Sequence, residues 1–193
     1  HSSAELAACR FADDSDFYAS APFSGCMILQ TCNRVEILIH GGADALSAYL
    51  AEAGKEGFAV LEGEAVLSHL LELAAGTQSL IVGEDQILGQ LKKALSAAEE
   101  AGAADAVISA CVSNAVRFGV SVRQKTAINR GAVSIGSAAV LLAEEELGTL
   151  DGRNILVVGG GETGRLVAKA LSEKDIRAIY VANRSFENAV ALA

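Results

Sequence analysis

A chain of 193 residues, 51% of them hydrophobic, can fill one core and begin another. Its 15 basic and 24 acidic residues leave a formal net charge of -9, which excludes a protein that grips nucleic acid by bulk electrostatics; such a partner would need a local basic patch. No apolar run reaches the roughly 18 residues of a membrane span and no charged-then-apolar leader opens the chain, so it reads as soluble, cytoplasmic and without a membrane partner.

The first 21 residues show no strand. His1-Ser2-Ser3-Ala4 reads as a loop, and the natural beginning is expected to lie upstream. Cys26 to Gln30 and Val35 to His40 are short, apolar and rich in β-formers, and are expected as strands. Ala43 to Ala53, stopped by Gly54, predicts a helix, and Gly57 to Leu61 a further strand. Glu64 to Ala75 is apolar around most of its circumference and ends at Gly76, as a buried helix does; His69 interrupts it. A turn through Thr77, Gln78 and Ser79 leads to a helix from about Glu84 to Ala101, with Ile87, Leu91 and Leu95 stacked at four-residue spacing. Helical periodicity returns over 105–124 and 132–147. From Asn154 the pattern changes to an apolar run, glycines, a helix to about Leu171 and a second run over 178–181, which is a β-α-β unit; a last helix follows Ser185. A dinucleotide-binding sheet needs more strands than these two, so the sequence is expected to end inside a domain.

Several residue groups suit chemistry. Thr31-Cys32-Asn33-Arg34 puts four polar or reactive residues between two buried strands. A thiol in such a polar, partly cationic setting is exposed and has a lowered pKa, and it can attack an activated carbonyl, splitting an acyl reduction into thioester formation and hydride delivery. Cys9, Cys26 and Cys111 read as small, reduced, buried thiols. No C-x-x-C pair or clustered His spacing suggests a metal. Arg34 offers a planar fork for a substrate carboxylate, with a salt bridge to Glu36 or another acid as the equal alternative. His69 is either a catalyst or a hydrogen-bonded core histidine. Ser79, Glu84, Gln86 and Gln90 suit either a polar site or ordinary capping beside a solvated face, Gln86 and Gln90 lying one turn apart. Gly159, Gly161 and Gly164 fit G-x-G-x-x-G between a strand and a helix, where backbone N–H groups and the positive helix end receive a pyrophosphate; a tight structural turn is the alternative. Asn183-Arg184-Ser185 closes the next strand without the acidic residue of NAD enzymes, and Arg184 favours a 2′-phosphate unless it is merely solvated.

Thr31-Cys32-Asn33-Arg34-Val35-Glu36, His69-Leu70-Leu71, Gly76-Thr77-Gln78-Ser79, Val82-Gly83-Glu84-Asp85-Gln86-Ile87-Leu88-Gly89-Gln90 and Gly159 to Gly164 together resemble the glutamyl-tRNA reductases, in order and spacing, across nearly the whole chain. The resemblance implies an α+β N-terminal catalytic domain over 1–130, a linking helix over 131–150, and over 151–193 the beginning of an α/β Rossmann-type NADP-binding domain, without the family's C-terminal dimerisation domain. It implies NADPH-dependent reduction of glutamyl-tRNA to glutamate-1-semialdehyde on the five-carbon route to tetrapyrroles, with Cys32 as nucleophile and His69 supporting catalysis. Thr31, Asn33, Arg34, Ser79, Glu84, Asp85, Gln86 and Gln90 then match glutamate-binding positions. Gly159, Gly160, Gly161, Glu162, Thr163 and Gly164, with Asn183, Arg184 and Ser185, match the cofactor site. The implied partners are glutamyl-tRNA, the glutamate-1-semialdehyde aminotransferase, and a second copy in a full-length homodimer.

The chain departs from the family in two places. Gly76-Thr77-Gln78-Ser79 stands where Gly-Leu-Asp-Ser is common. Gly119-Val120-Ser121-Val122-Arg123 replaces Gly-Lys-Arg-Val-Arg and loses cationic charge that could touch tRNA. The competing expectations are another NADP oxidoreductase of the shikimate dehydrogenase type, which would not need Cys32, and a homologue that binds without turnover.

Overall fold

The computed structural model describes residues 3–129 and 134–192. Its N-terminal stretch is helical, with α1 (Ser3–Cys9) and α2 (Asp14–Ser20), where the sequence suggested a loop at Ser3 and Ala4. Asp13 caps α2 by accepting from the Ser15 amide at 2.9 Å, and Phe17 anchors it with no exposed surface. Both helices have only seven residues, too few to display an apolar period. His1 and Ser2 lie outside the described residues.

The β-rich runs pair with each other. β1 (Cys26–Gln30) and β2 (Val35–Ile39) form an antiparallel pair in which Gln30 faces Val35 and Cys26 faces Ile39. Alternation along β1 divides two cores: Met27 and Leu29 join a helical cluster around Leu73, Ile87, Leu91 and Val112, while Cys26 and Ile28 join Phe17, Tyr49 and Leu50. Burying each of these larger side chains contributes about 1.5–3 kcal/mol. α3 (Ala43–Glu52) supplies Tyr49 and Leu50. The strand expected at Gly57 to Leu61 does not form. Among the described residues no strand pairs with this segment, and Val60 and Leu61 are exposed, so its β-propensity has no ladder to join.

α4 (Glu64–Ala75), α5 (Gln86–Glu100) and α6 (Ala106–Lys125) complete the helical core. α5 begins two residues later than expected, because Ile81 to Glu84 make a turn in which the Glu84 amide donates to Ile81 O at 3.1 Å. α6 crosses α4 closely at Gly119, where an added Cβ would lie 2.3 Å from Ala74 O. Arg123 secures the crossing by donating through Nη1 to Ala74 O at 2.7 Å and Gly119 O at 2.9 Å. Gly119 and Arg123 thus have a packing role.

The chain divides into two units, His1–Gln78 with Gln86–Thr126, and Ser79–Asp85 with Ala127–Ala193. In the second, α7 (Ile135–Leu147) starts with a capping box between Ser134 and Ser137. The expected start at Ala132 lies outside the described residues. α7 packs on α8 (Glu162–Ser172), which connects β3 (Asn154–Val158) to the parallel strand β4 (Ala178–Ala182); α9 (Phe186–Val190) follows. Val140, Leu150, Val157 and Leu171 form the core of this unit. Leu156, Val158 and Tyr180 remain exposed on its two-stranded sheet. Among the described residues no helix is long and apolar enough to cross a membrane.

Candidate functional site

The turn joining β1 to β2 is stapled by Thr31. Its amide donates to Arg34 O at 2.9 Å, and its hydroxyl oxygen accepts from the amides of Asn33 and Arg34, each at 3.2 Å. Arg10 donates through its guanidinium to Thr31 O, and the Phe11 amide donates to Gln30 Oε1 at 3.0 Å, so the segment between α1 and α2 grips the turn from behind. This scaffold presents Cys32 and Asn33 to solvent. Of the four thiols only Cys32 is exposed; Cys9 and Cys26 are buried and Cys111 is half-buried. Burial pushes the Cys26 thiol up.

Beside the turn stands a three-residue ionic array. Arg34 Nη1 donates to Glu36 Oε1 at 2.9 Å, and its Nη2 donates to Gln78 O at 2.7 Å. The second oxygen of Glu36 lies 2.9 Å from His69 Nε2. The side chains are 18%, 24% and 28% exposed for Arg34, Glu36 and His69, so the array is partly desolvated while still reachable. The hydrogen bond to Glu36 raises the His69 pKa against the opposing effect of burial. Burial alone would raise Glu36, but His69 and Arg34 together hold its carboxyl below the usual range. The salt-bridge alternative for Arg34 is therefore realised, and His69 is hydrogen-bonded to the same carboxylate while partly exposed. Sequence reasoning left Glu36 out of the site. The signal was a lone carboxylate in an otherwise apolar strand, two residues from Arg34.

The remaining candidates are distributed between the units. Gln86 and Gln90 are half-buried on α5, and neither side chain makes a hydrogen bond among the described residues. Ser79, Glu84 and Asp85 belong to the second unit. Ser79 is 8% exposed, and its Oγ has no hydrogen-bond partner among the described residues, an arrangement that favours a polar ligand atom.

The glycine loop runs from the end of β3 into α8, whose N-cap is Gly161. At Gly164 an added Cβ would lie 1.9 Å from Gly159 O, so a side chain there would force the strand and helix apart. Asn183 staples the loop to the end of β4: its Oδ1 accepts from the Gly160 amide at 3.1 Å and its Nδ2 donates to Ser185 O at 2.9 Å. Glu162, Thr163 and Arg184 are exposed, and Ser185 is the N-cap of α9. Bare backbone at Gly159, Gly160 and Gly161, followed by the first-turn amides of α8, fits a dinucleotide pyrophosphate. Among the described residues no cluster of His, Cys, Asp and Glu could hold a metal ion.

Comparison with known proteins assigns names to these parts. Residues 5–126 match the family model for the N-terminal domain of glutamyl-tRNA(Glu) reductase, and residues 141–193 match the model for shikimate/quinate 5-dehydrogenase. A glutamyl-tRNA reductase from Methanocorpusculum labreanum is 62% identical over 186 residues, covering 95% of this chain and 44% of the relative. One from Methanoculleus marisnigri is 60% identical over 192 residues, covering 98% of this chain and 45% of the relative. The solved structure of glutamyl-tRNA reductase from Methanopyrus kandleri aligns with a TM-score of 0.70 at 42% identity, over 100% of this chain and 49% of that one. The chain spans less than half the length of these relatives.

Proposed function

Because the chain belongs to the glutamyl-tRNA reductase family, we propose that it captures the glutamyl group of glutamyl-tRNA on Cys32 for NADPH-dependent reduction to glutamate-1-semialdehyde in tetrapyrrole synthesis. The observation that carries this reading is the exposure of one thiol out of four, on a rigidly stapled turn that leads directly into the Arg34–Glu36–His69 array.

In the proposed reaction the sulfur of Cys32 attacks the ester carbonyl carbon. A carbon–sulfur bond forms, the bond to the terminal ribose oxygen breaks, and His69 handles the proton that the ribose oxygen gains. Arg34 has N–H groups beyond the two already engaged and directs them at the substrate carboxylate. Thr31, Asn33, Gln86 and Gln90 of the first unit serve glutamate recognition; Ser79, Glu84 and Asp85 of the second unit are proposed for the same role, with support from the Ser79 hydroxyl, which has no hydrogen-bond partner among the described residues. NADPH, when bound, supplies the hydride that converts the captured acyl group into an aldehyde and releases the sulfur. Gly159 to Gly164 would hold its pyrophosphate, with Asn183 and Ser185 maintaining the loop, and Arg184 would serve the 2′-phosphate.

This reading divides the chain into a catalytic domain over 1–130, a linking helix over 131–150 and the first part of a Rossmann domain over 151–193. The exposed apolar residues Leu156, Val158 and Tyr180 support a sheet that further strands complete. A cytoplasmic homodimer handing its unstable aldehyde to the aminotransferase is part of the same proposal.

Acyl capture is tested by incubating the protein with glutamyl-tRNA in the absence of NADPH. Water then resolves the thioester, and glutamate is released without semialdehyde. Release that disappears in Cys32→Ser supports the reading, whereas equal release by the variant overturns it.

A further inference from the structure

We propose that Glu36 is a positioning residue that fixes which ring nitrogen of His69 meets the reacting group and ties that choice to the carboxylate fork of Arg34. The inference rests on the acyl-capture reading above and assigns a role to a residue outside that scheme.

The argument begins with donor and acceptor bookkeeping. An ionised carboxylate only accepts hydrogen bonds, so the 2.9 Å contact to Glu36 Oε2 requires a proton on His69 Nε2. Nδ1 is then the nitrogen that can take or give a proton during turnover. The other oxygen of the same carboxylate is held by Arg34 Nη1 at 2.9 Å, and Gln78 O anchors the far side of that guanidinium at 2.7 Å. The three side chains therefore cannot reorient independently. A glutamate carboxylate bound by the remaining N–H groups of Arg34 shares the cation with Glu36, and the resulting weakening of the Arg34–Glu36 attraction leaves more negative charge for His69. Substrate binding would in this way reinforce the Nε2–H arrangement when the imidazole is needed.

The charges around His69 agree with this arrangement. Glu36 faces it from β2, Arg34 from the turn just before that strand, and Glu72 from its own helix, the acids favouring the protonated ring and the guanidinium opposing it. α5 and α6 also pack against α4, and Arg123 of α6 is committed to Ala74 O farther along that helix. Glu36 is the second residue of β2 and Arg34 closes the turn just before that strand, so a single carboxylate reaches both cation and imidazole.

The test needs no turnover. With only three histidines in the chain, long-range proton–nitrogen NMR of the protein labelled with 15N-histidine resolves each ring, and a His40→Gln variant separates His40 from His69. In the wild type, neutral His69 is expected as the Nε2–H tautomer. In Glu36→Gln the amide oxygen turns to Arg34 and its NH2 donates to His69 Nε2, so the ring should switch to the Nδ1–H tautomer and titrate at lower pH. The His40 signals report whether the variant is folded. An Nδ1–H tautomer in the wild type overturns the proposal whatever the variant does, as does a folded Glu36→Gln with unchanged tautomer and midpoint. In the glutamate-release assay, the pH limb governed by His69 should move down with the NMR midpoint; a fixed limb also overturns the proposal. Failure of the wild type to release glutamate through Cys32 refutes the acyl-capture reading instead, and the tautomer result still decides what Glu36 does to the ring.

Discussion

Replacing Gly119 by alanine should destabilise the first unit, although alanine is the better helix former. Relief of glycine's backbone entropy in a helix interior is worth about 0.5–1 kcal/mol in favour of the variant. Against it stands the α4–α6 crossing, where the new methyl carbon would lie 2.3 Å from Ala74 O and 2.7 Å from Ala74 C, roughly 1 Å inside the 3.4 Å at which ordinary contact begins. Those atoms are backbone and cannot rotate away, so the helices must separate. Overpacking of this kind costs about 1–3 kcal/mol, and the displacement also strains the Arg123 bonds to Ala74 O and Gly119 O. The net expectation is a loss of about 0.5–2 kcal/mol. Gly89 provides the matched control: it lies in α5 with nothing within 4 Å of its virtual Cβ, so the same substitution there should stabilise by about 0.5–1 kcal/mol. Urea unfolding followed by circular dichroism measures both variants. Gly119→Ala at or above wild-type stability, with Gly89→Ala behaving as expected, would refute the close-packing argument.

Gly164→Ala places a Cβ 1.9 Å from Gly159 O and should abolish NADPH binding in a fluorescence titration while leaving Cys32-dependent ester cleavage intact. Ser134→Ala removes the capping box of α7 and should cost about 1 kcal/mol, read as faster hydrogen exchange at the Ser137 amide. The Glu36–His69 pair has a defined pH signature. His69 is raised above its usual 6.5, so its contribution is present below that value and is lost as pH rises through the folded value. Glu36 is lowered from its usual 4.5, so its contribution is present above 4.5 and is lost as pH falls through the folded value. The stability difference between wild type and His69→Ala should therefore be largest between 4.5 and 6.5 and shrink on either side; a difference independent of pH would contradict the coupling.

The parts of the fold legible in the sequence were those with a long or strong local signal. The β-rich runs around Thr31, the four-residue stacking of Ile87, Leu91 and Leu95, and the strand–glycine–helix order near Gly159 all reappear as structure. α1 and α2 were hidden because seven-residue helices are too short to show an apolar period, and α2 depends on a tertiary anchor, Phe17. Gly57 to Leu61 misled in the opposite direction, since β-forming residues need a partner strand that none of the described residues supplies. At the site, Cys32 and Arg34 stood out as polar residues between two apolar strands. Glu36 did not, because its significance depends on a histidine 33 positions away, and only folding brings the two to 2.9 Å. The role of Asn183 as a backbone staple was equally invisible, since the bond from the Gly160 amide spans 23 residues.

Acyl capture by one particular sulfur is the claim on which the functional account depends, and mass spectrometry measures it most directly. After brief exposure to glutamyl-tRNA and acid quenching, the peptide containing Cys32 should carry a hydroxylamine-labile glutamyl group, with Cys9, Cys26 and Cys111 unmodified. A glutamyl group on any other thiol, or none on Cys32 when the tRNA is nevertheless deacylated, would contradict it.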